Sequence, residues 1–318
     1  MFHYKIKDNE IAPAVKIGFI IANFPHIHVM NDIPKVRDAH AFLLSSDKYA
    51  IYSHQNKFYE KTISGMENDL QKLVGAPFPF ESLKLVFVQN LFLKKSRKQS
   101  VDFTGGLHIL DEELLFPKTQ QEGRHRTYKY LACSLAYDYF GAKVYEDNPS
   151  DFWLLQGIRE SIGNHQKIMR FGILLYRYHI MKTIDSVYKK AKHGYERYPL
   201  QSLQVPNPSE FMLNELVYEK SELIMHMIES MIDKQYFERI IRDLYHQSSP
   251  FVTTKSFQKI FKQVCGMKLK DFSMNWIAAT SCLTLSVSCM YNKKNNSLDL
   301  KLQQDSAMKD HFAFRKYL

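Results

Sequence analysis

Cys133 and Tyr137 stand four residues apart in a stretch of helical pattern, with Ser134 between them. On an α-helix, residues at i and i+4 share one face, so their side chains reach into the same space. A helix uses this spacing to offer two ligands to a metal ion, with a carboxylate between them as general base. Gln156 comes nineteen residues after Tyr137, within Phe152-Trp153-Leu154-Leu155-Gln156-Gly157. A thiolate at Cys133 could be one ligand, but a neutral phenol at Tyr137 is a poor ligand for zinc. Ser134 cannot hold a proton as a carboxylate does. The plainer role of Cys133 is that of a small buried apolar residue.

The surrounding frame is informative in its own right. Cys133-Ser134-Leu135-Ala136-Tyr137-Asp138-Tyr139-Phe140-Gly141 resembles the zinc-binding helix of the aminopeptidase N family, His-Glu-Leu-Ala-His-Gln-Trp-Phe-Gly. In that family a Glu within Trp-Leu-Asn-Glu-Gly, at the same interval that separates Tyr137 from Gln156, supplies the third ligand. Leu135, Ala136, Phe140, Gly141, Trp153, Leu154 and Gly157 match the packing residues of that pattern. The resemblance puts Cys133 where the first His belongs, Ser134 at the general base, Tyr137 at the second His and Gln156 at the Glu ligand. It therefore implies a pseudoenzyme with no metal and no cofactor. The fold it implies is mixed α/β and mainly helical, a thermolysin-like peptidase domain flanked by β segments of neighbouring β domains.

Three further segments bear on this resemblance. Family members anchor a substrate's amino group through a Gly-Ala-Met-Glu-Asn strand, and Gly65-Met66-Glu67-Asn68 looks similar. That segment lies on a helical pattern ahead of the Pro77-Phe78-Pro79-Phe80 turn, so it is read as a decoy. Gly106-Leu107-His108-Ile109-Leu110-Asp111-Glu112 matches the family segment just C-terminal to that motif, which places Ser100-Val101-Asp102-Phe103-Thr104 at the motif itself, without its Glu. Val217-Tyr218-Glu219-Lys220-Ser221 resembles the segment whose Tyr stabilises the tetrahedral oxyanion. Tyr218 is thus a fifth vestigial position beside Cys133, Ser134, Tyr137 and Gln156, and its plain role is a packed helix aromatic.

These residues need elements to position them. Residues 14–24 read as a strand, Phe58 to Val74 as a helix stopped by Gly75, and Leu83 to Val88 as a strand. Val101 to Leu115 reads as strand then loop. A helix runs from about Gly123 to Gly141, and Ser150 or Asp151 is the expected N-cap of the next. Residues 166–190 read as one long amphipathic helix, 194–208 as a loop with three prolines, and helical patterns return at 209–230, 234–245 and 254–264. Period-two alternation over Ser281 to Ser288 and Leu298 to Leu302, around a polar turn, predicts a hairpin. The expected domains are 1–30, the end of an N-terminal β domain; 31–278, the inactive aminopeptidase-like domain; and 279–318, the start of a β-sandwich domain.

The 318 residues are 45% hydrophobic, enough for a sizeable core, and carry a net charge of +10. Such a balance suits an acidic partner, whether nucleic acid, anionic membrane or protein. It equally suits a Lys-rich solvated surface. Four cysteines without a CxxC pair indicate reduced thiols. No run reaches the length of a membrane span and the N-terminus lacks a signal-peptide shape, so a soluble cytoplasmic or nuclear protein is expected. Candidate nucleic-acid contacts are Lys94, Lys95, Arg97 and Lys98, and a second cluster of Lys189, Lys190, Lys192 and Arg197 interleaved with Tyr188 and Tyr195.

Within the aminopeptidase-like proteins, several segments resemble the branch formed by the TBP-associated factor two subunits of the general transcription factor TFIID. They are Ala12 to Phe24, Leu73 to Val88, Asn275-Trp276-Ile277, Tyr291-Asn292-Lys293-Lys294 and Leu298 to Asp305. That resemblance implies a nuclear, non-catalytic scaffold in RNA polymerase II pre-initiation. Its implied partners are other TFIID subunits, notably the largest and a histone-fold subunit, and promoter DNA. Two other readings fit the same frame: a zinc aminopeptidase with an atypical site, or a dead peptidase module that binds peptides.

Overall fold

The computed structural model describes residues 16–21, 26–31, 33, 36–43, 56–88, 100–115, 120–192, 200, 214–278 and 285–304. Strand β1 (His26–Val29) pairs antiparallel with β2 (Asp38–Leu43). Helix α1 (Asn56–Val74) leads to β3 (Ser82–Val88), which runs parallel to β2. β4 (Ser100–Phe103) and β5 (Leu107–Asp111) form an antiparallel pair, and β5 lies parallel to β3. The sheet order is β1-β2-β3-β5-β4, so the parallel strands lie inside and β4 forms an edge. β3 is apolar on both faces: Leu83, Leu85 and Phe87 join the main core, while Val86 and Val88 pack under Ile20, Val101 and Ile109.

After the short α2 (Glu112–Leu115) come the helices that position the candidate site. α3 (Gln120–Tyr139) is buried almost all round in its second half, from Ser134 to Tyr139. A short strand, β6 (Tyr145–Glu146), and a 3₁₀ turn at Pro149–Asp151 precede α4 (Phe152–Phe171). α5 (Ile173–Lys192), α6 (Glu215–Ser230) and α7 (Lys234–Tyr245) come after it. β7 (Phe251–Val252) pairs with β6; α8 (Thr254–Cys265), α9 (Lys270–Phe272) and a π-helical turn at Ser273–Ile277 come next. A hairpin of β8 (Leu285–Asn292) and β9 (Ser297–Gln304) is the last described unit.

α3, α4 and α6 pack side by side. Their close approach rests on missing side chains. A Cβ on Gly163 of α4 would meet the Cys133 Sγ at 2.5 Å, and one on Gly157 would meet the Ser221 carbonyl of α6 at 2.9 Å. Trp153 is fully buried, donates from Nε1 to Thr254 Oγ1 at 3.1 Å and packs edge-on against Phe257.

Several sequence expectations need correction. Residues 16–21 carry no strand, although Ile20 does cover the sheet as an apolar residue there should; the rest of 14–24 lies outside the described residues. The segment after β5 is a helical turn, not a loop. The 166–190 helix is two helices, because Gly172 adopts φ +86° and ψ 165°, a conformation open essentially to glycine alone. Asp151 takes the N-cap position of α4 but makes no side-chain cap there. Its Oδ1 instead accepts from the Thr254 amide and hydroxyl, both at 2.7 Å, at the start of α8. Among the described residues no helix is long and apolar enough to cross a membrane.

Candidate functional site

Ser134 faces Asp102 on the sheet side, whereas α3 and α4 bring Cys133, Tyr137 and Gln156 together. Residue 159, which sequence reasoning missed, connects them. Arg159 lies three positions beyond Gln156, so both are on the same side of α4. Its guanidinium sits 5.1 Å from the ring centroid of Tyr137 and 6.0 Å from that of Phe152. Its Nη2 donates to Gln156 Oε1. Gln156 turns its other end to Glu160, donating from Nε2 to Oε1 at 2.8 Å. Cys133 Sγ donates to the Arg159 carbonyl at 3.4 Å.

The electrostatics stem from burial. Tyr137 is only 7% exposed, and burial pushes its phenol well above its usual value although Arg159 pulls the other way. Burial, with the Glu160 carboxylate beside it, raises the Cys133 thiol well above its usual range. Ser134 is fully buried, and its hydroxyl lies beside the Asp102 carboxyl. Tyr218 stands edge-on to Phe152 at 5.6 Å, and burial raises its phenol too.

A second layer of charge lies behind these residues. Lys129 Nζ reaches Glu160 at 2.8 Å and Glu222 at 2.7 Å, and Glu222 also holds His179 at 2.8 Å and Asn164 at 2.7 Å. Burial opposes the Lys129 charge, but the two carboxylates overcome it and raise its pKa. On the sheet side, His108 is clamped between Asp102 and Asp138, each at 2.9 Å. Burial would lower the pKa of His108, yet Asp138 and Asp102 lift it to about 10. Lys16 reaches in at the far end of α3, contacting the Gly141 carbonyl at 2.9 Å and Glu146 at 2.5 Å.

The Gly65-Met66-Glu67-Asn68 segment sits inside α1, as its helical pattern required. Glu67 is fully buried and bonded to the Tyr139 hydroxyl. Burial raises its carboxyl to about 8, so it is a core acid rather than a substrate anchor. Asp102 of the Ser100–Thr104 segment lies on edge strand β4 and is committed to His108. Of the basic residues, Lys94, Lys95, Arg97 and Lys98 lie outside the described residues, as do Arg197, Tyr195 and the Lys192 side chain. Lys189 is exposed and pairs with Asp185 at 2.7 Å; Lys190 pairs with Glu215 at 3.1 Å and Glu219 at 2.7 Å. The signal for Arg159 was available in principle as a basic residue one helical turn from Gln156, but sequence alone does not say that it turns inward. Asp102, His108 and Asp138 are brought together only by the pairing of β4 with β5 and the packing of α3.

No family model matches the chain. It is similar to TFIID subunit 2 of Danio rerio, 21% identical over 266 residues, covering 74% of this chain and 22% of that protein. TFIID subunit 2 of Gallus gallus is 22% identical over 271 residues, and that of Drosophila melanogaster 22% over 361 residues, covering 96% of this chain and 27% of that protein. The chain thus spans 22% of the length of the zebrafish and chicken relatives. Among solved structures it resembles Legionella pneumophila aminopeptidase A in complex with aspartic acid, with TM-score 0.68 and 16% identity, over 88% of this chain and 31% of that one. The chain therefore resembles TFIID subunit 2 in sequence and has the fold of an aminopeptidase.

Proposed function

We propose that the chain is a non-catalytic scaffold subunit of TFIID that supports RNA polymerase II pre-initiation complex assembly and core-promoter binding. The observation behind the loss of catalysis is Arg159. Its guanidinium lies against Tyr137 and Gln156, at two of the three positions where the aminopeptidase pattern expects ligands. The residues present do not fit zinc. Burial opposes ionisation of Cys133 and Tyr137, and the Gln156 amide is committed to Arg159 and Glu160. Ser134 offers no carboxylate for general-base work, and Tyr218 would have no oxyanion to stabilise.

The transcriptional role is supported by the relatives that bear the TFIID subunit 2 name. In this reading the protein is nuclear and docks on other TFIID subunits, among them the largest and a histone-fold subunit. Residues 31–278 form an inactive, thermolysin-like domain, 1–30 end a β domain and 279–318 begin a β-sandwich. The last of these is supported by the β8–β9 hairpin, which exposes Val287, Tyr291, Leu298, Leu300 and Leu302, as a strand pair awaiting a second sheet would. Promoter contacts fall to Lys94, Lys95, Arg97 and Lys98, with Lys189, Lys192 and Arg197 in support. Lys190, already held by two glutamates, contributes least.

A tagged full chain purified from nuclei tests this reading. Co-purification of the largest TFIID subunit in stoichiometric amount is the expected result. A chain recovered without any TFIID subunit would sink the reading.

A further inference from the structure

Helix α5 is amphipathic twice over. Its inner face, with Tyr176, Ile180, Thr183 and Val187, is buried. Its opposite face exposes Leu174 (76%), Tyr178, Met181 (68%) and Tyr188, and Ile184 is exposed at the border of the two faces. An apolar stripe of this kind on the outside of a soluble fold marks a contact surface. Residues 174, 178, 181, 185 and 188 keep the alternating four-and-three spacing of a helix–helix seam. Asp185 is the single polar member, held by Lys189 at 2.7 Å. A strand would not match that spacing, whereas a second helix would.

The charges beside the stripe select the partner's sign. Arg177 and Lys182 are exposed beside it, with Lys182 Nζ over the Tyr178 ring at 5.5 Å. Asp185 is the only acidic residue in the whole of α5. We infer that the outer face of α5 docks an acidic amphipathic helix from a partner protein, its apolar ridge packing along Leu174, Tyr178, Met181 and Tyr188 and its carboxylates meeting Arg177 and Lys182. This inference stands on the helix alone and does not depend on the TFIID reading.

The test uses the full chain and two synthetic helical peptides that share a Leu/Phe ridge, one flanked by Glu and the other by Lys. Fluorescence anisotropy should show saturable binding of the Glu-flanked peptide, at least tenfold tighter than the Lys-flanked one. Met181→Glu should weaken it at least tenfold, and Lys182→Glu should shrink the preference for the acidic peptide. Both side chains are exposed, and unchanged circular dichroism would confirm that these variants fold. Equal binding of the two peptides, no binding of either, or indifference to Met181→Glu would overturn the inference. So would a dimer of the unliganded chain that Met181→Glu dissociates, since a second copy would then cover the face.

Discussion

The Arg159 guanidinium lies 5.1 Å from the centroid of the Tyr137 ring, bridging the two helices that in an aminopeptidase pattern would share a metal. A planar cation over an aromatic face is attractive, and more so when water is excluded. Here it is also bonded to Gln156 and lies beside Phe152. The site is thus organised around an internal cation belonging to the chain.

Removing that cation should cost stability. Arg159→Ala strips Gln156 Oε1 of its donor and leaves the nearby carboxylates less compensated. A loss of about 2–4 kcal/mol is expected from a buried charged hydrogen bond and its packing. Urea unfolding monitored by circular dichroism measures it. An unfolding midpoint equal to that of the parent would contradict the role assigned to Arg159.

The same residue should oppose metal binding at these positions. The fourfold variant Cys133→His, Ser134→Glu, Tyr137→His, Gln156→Glu introduces the ligand types of the aminopeptidase pattern but keeps the guanidinium beside them. It should bind zinc at least tenfold more weakly than the variant that also carries Arg159→Ala, a difference of about 1.4 kcal/mol or more. Competition with a zinc-sensitive dye reports both affinities. Equal affinities would mean that Arg159 leaves the metal position free.

What the sequence discloses and what it hides differ in kind. Trp153, Gly157 and the α3 core are legible because close helix packing needs particular sizes at fixed spacing, and a chain that keeps the fold keeps those sizes. Arg159 is not legible, since a charged residue on a helix is ordinarily solvated; only the packed α3–α4 pair shows that it faces inward. The clamp on His108 joins residues six and thirty positions apart, a pairing that requires the sheet register. The break at Gly172 was masked by an apolar pattern that continues across it.

Stability should fall as the pH rises above about 4.5. Burial lifts Glu67 from its ordinary 4.5 to about 8, so the folded state holds this proton more tightly than the unfolded chain. Its contribution is full below about pH 4.5 and is lost as pH rises to 8. His108 is raised from 6.5 to about 10 by Asp138 and Asp102 against burial, so its contribution is full below about pH 6.5 and is lost as pH rises to 10. Each group adds a slope of up to about 1.4 kcal/mol per pH unit within its window. Glu67→Gln should flatten the curve between pH 5 and 8 while leaving the alkaline limb. A parent curve that stays level from pH 5 to 8, below the range in which Lys167, lowered by burial to about 8, works in the opposite sense, would refute both assignments.

Gly163 offers an independent check on the packing of Cys133. An added Cβ would meet the Sγ at 2.5 Å and the Lys129 carbonyl at 3.0 Å. Gly163→Ala should therefore destabilise by about 1–3 kcal/mol. Cys133→Ala in the same chain should recover part of that loss, giving a coupling of about 0.5 kcal/mol or more in a double-mutant cycle. Strict additivity would show that the two residues do not touch.

The central claim, a peptidase frame that does no peptidase chemistry, is tested most directly by zinc content measured alongside turnover. The purified full chain, dialysed against micromolar zinc, is analysed by mass spectrometry and assayed on an aminoacyl fluorogenic substrate. The account predicts far less than one zinc per chain and no hydrolysis above the buffer rate. One zinc per chain with turnover that a chelator abolishes would contradict it.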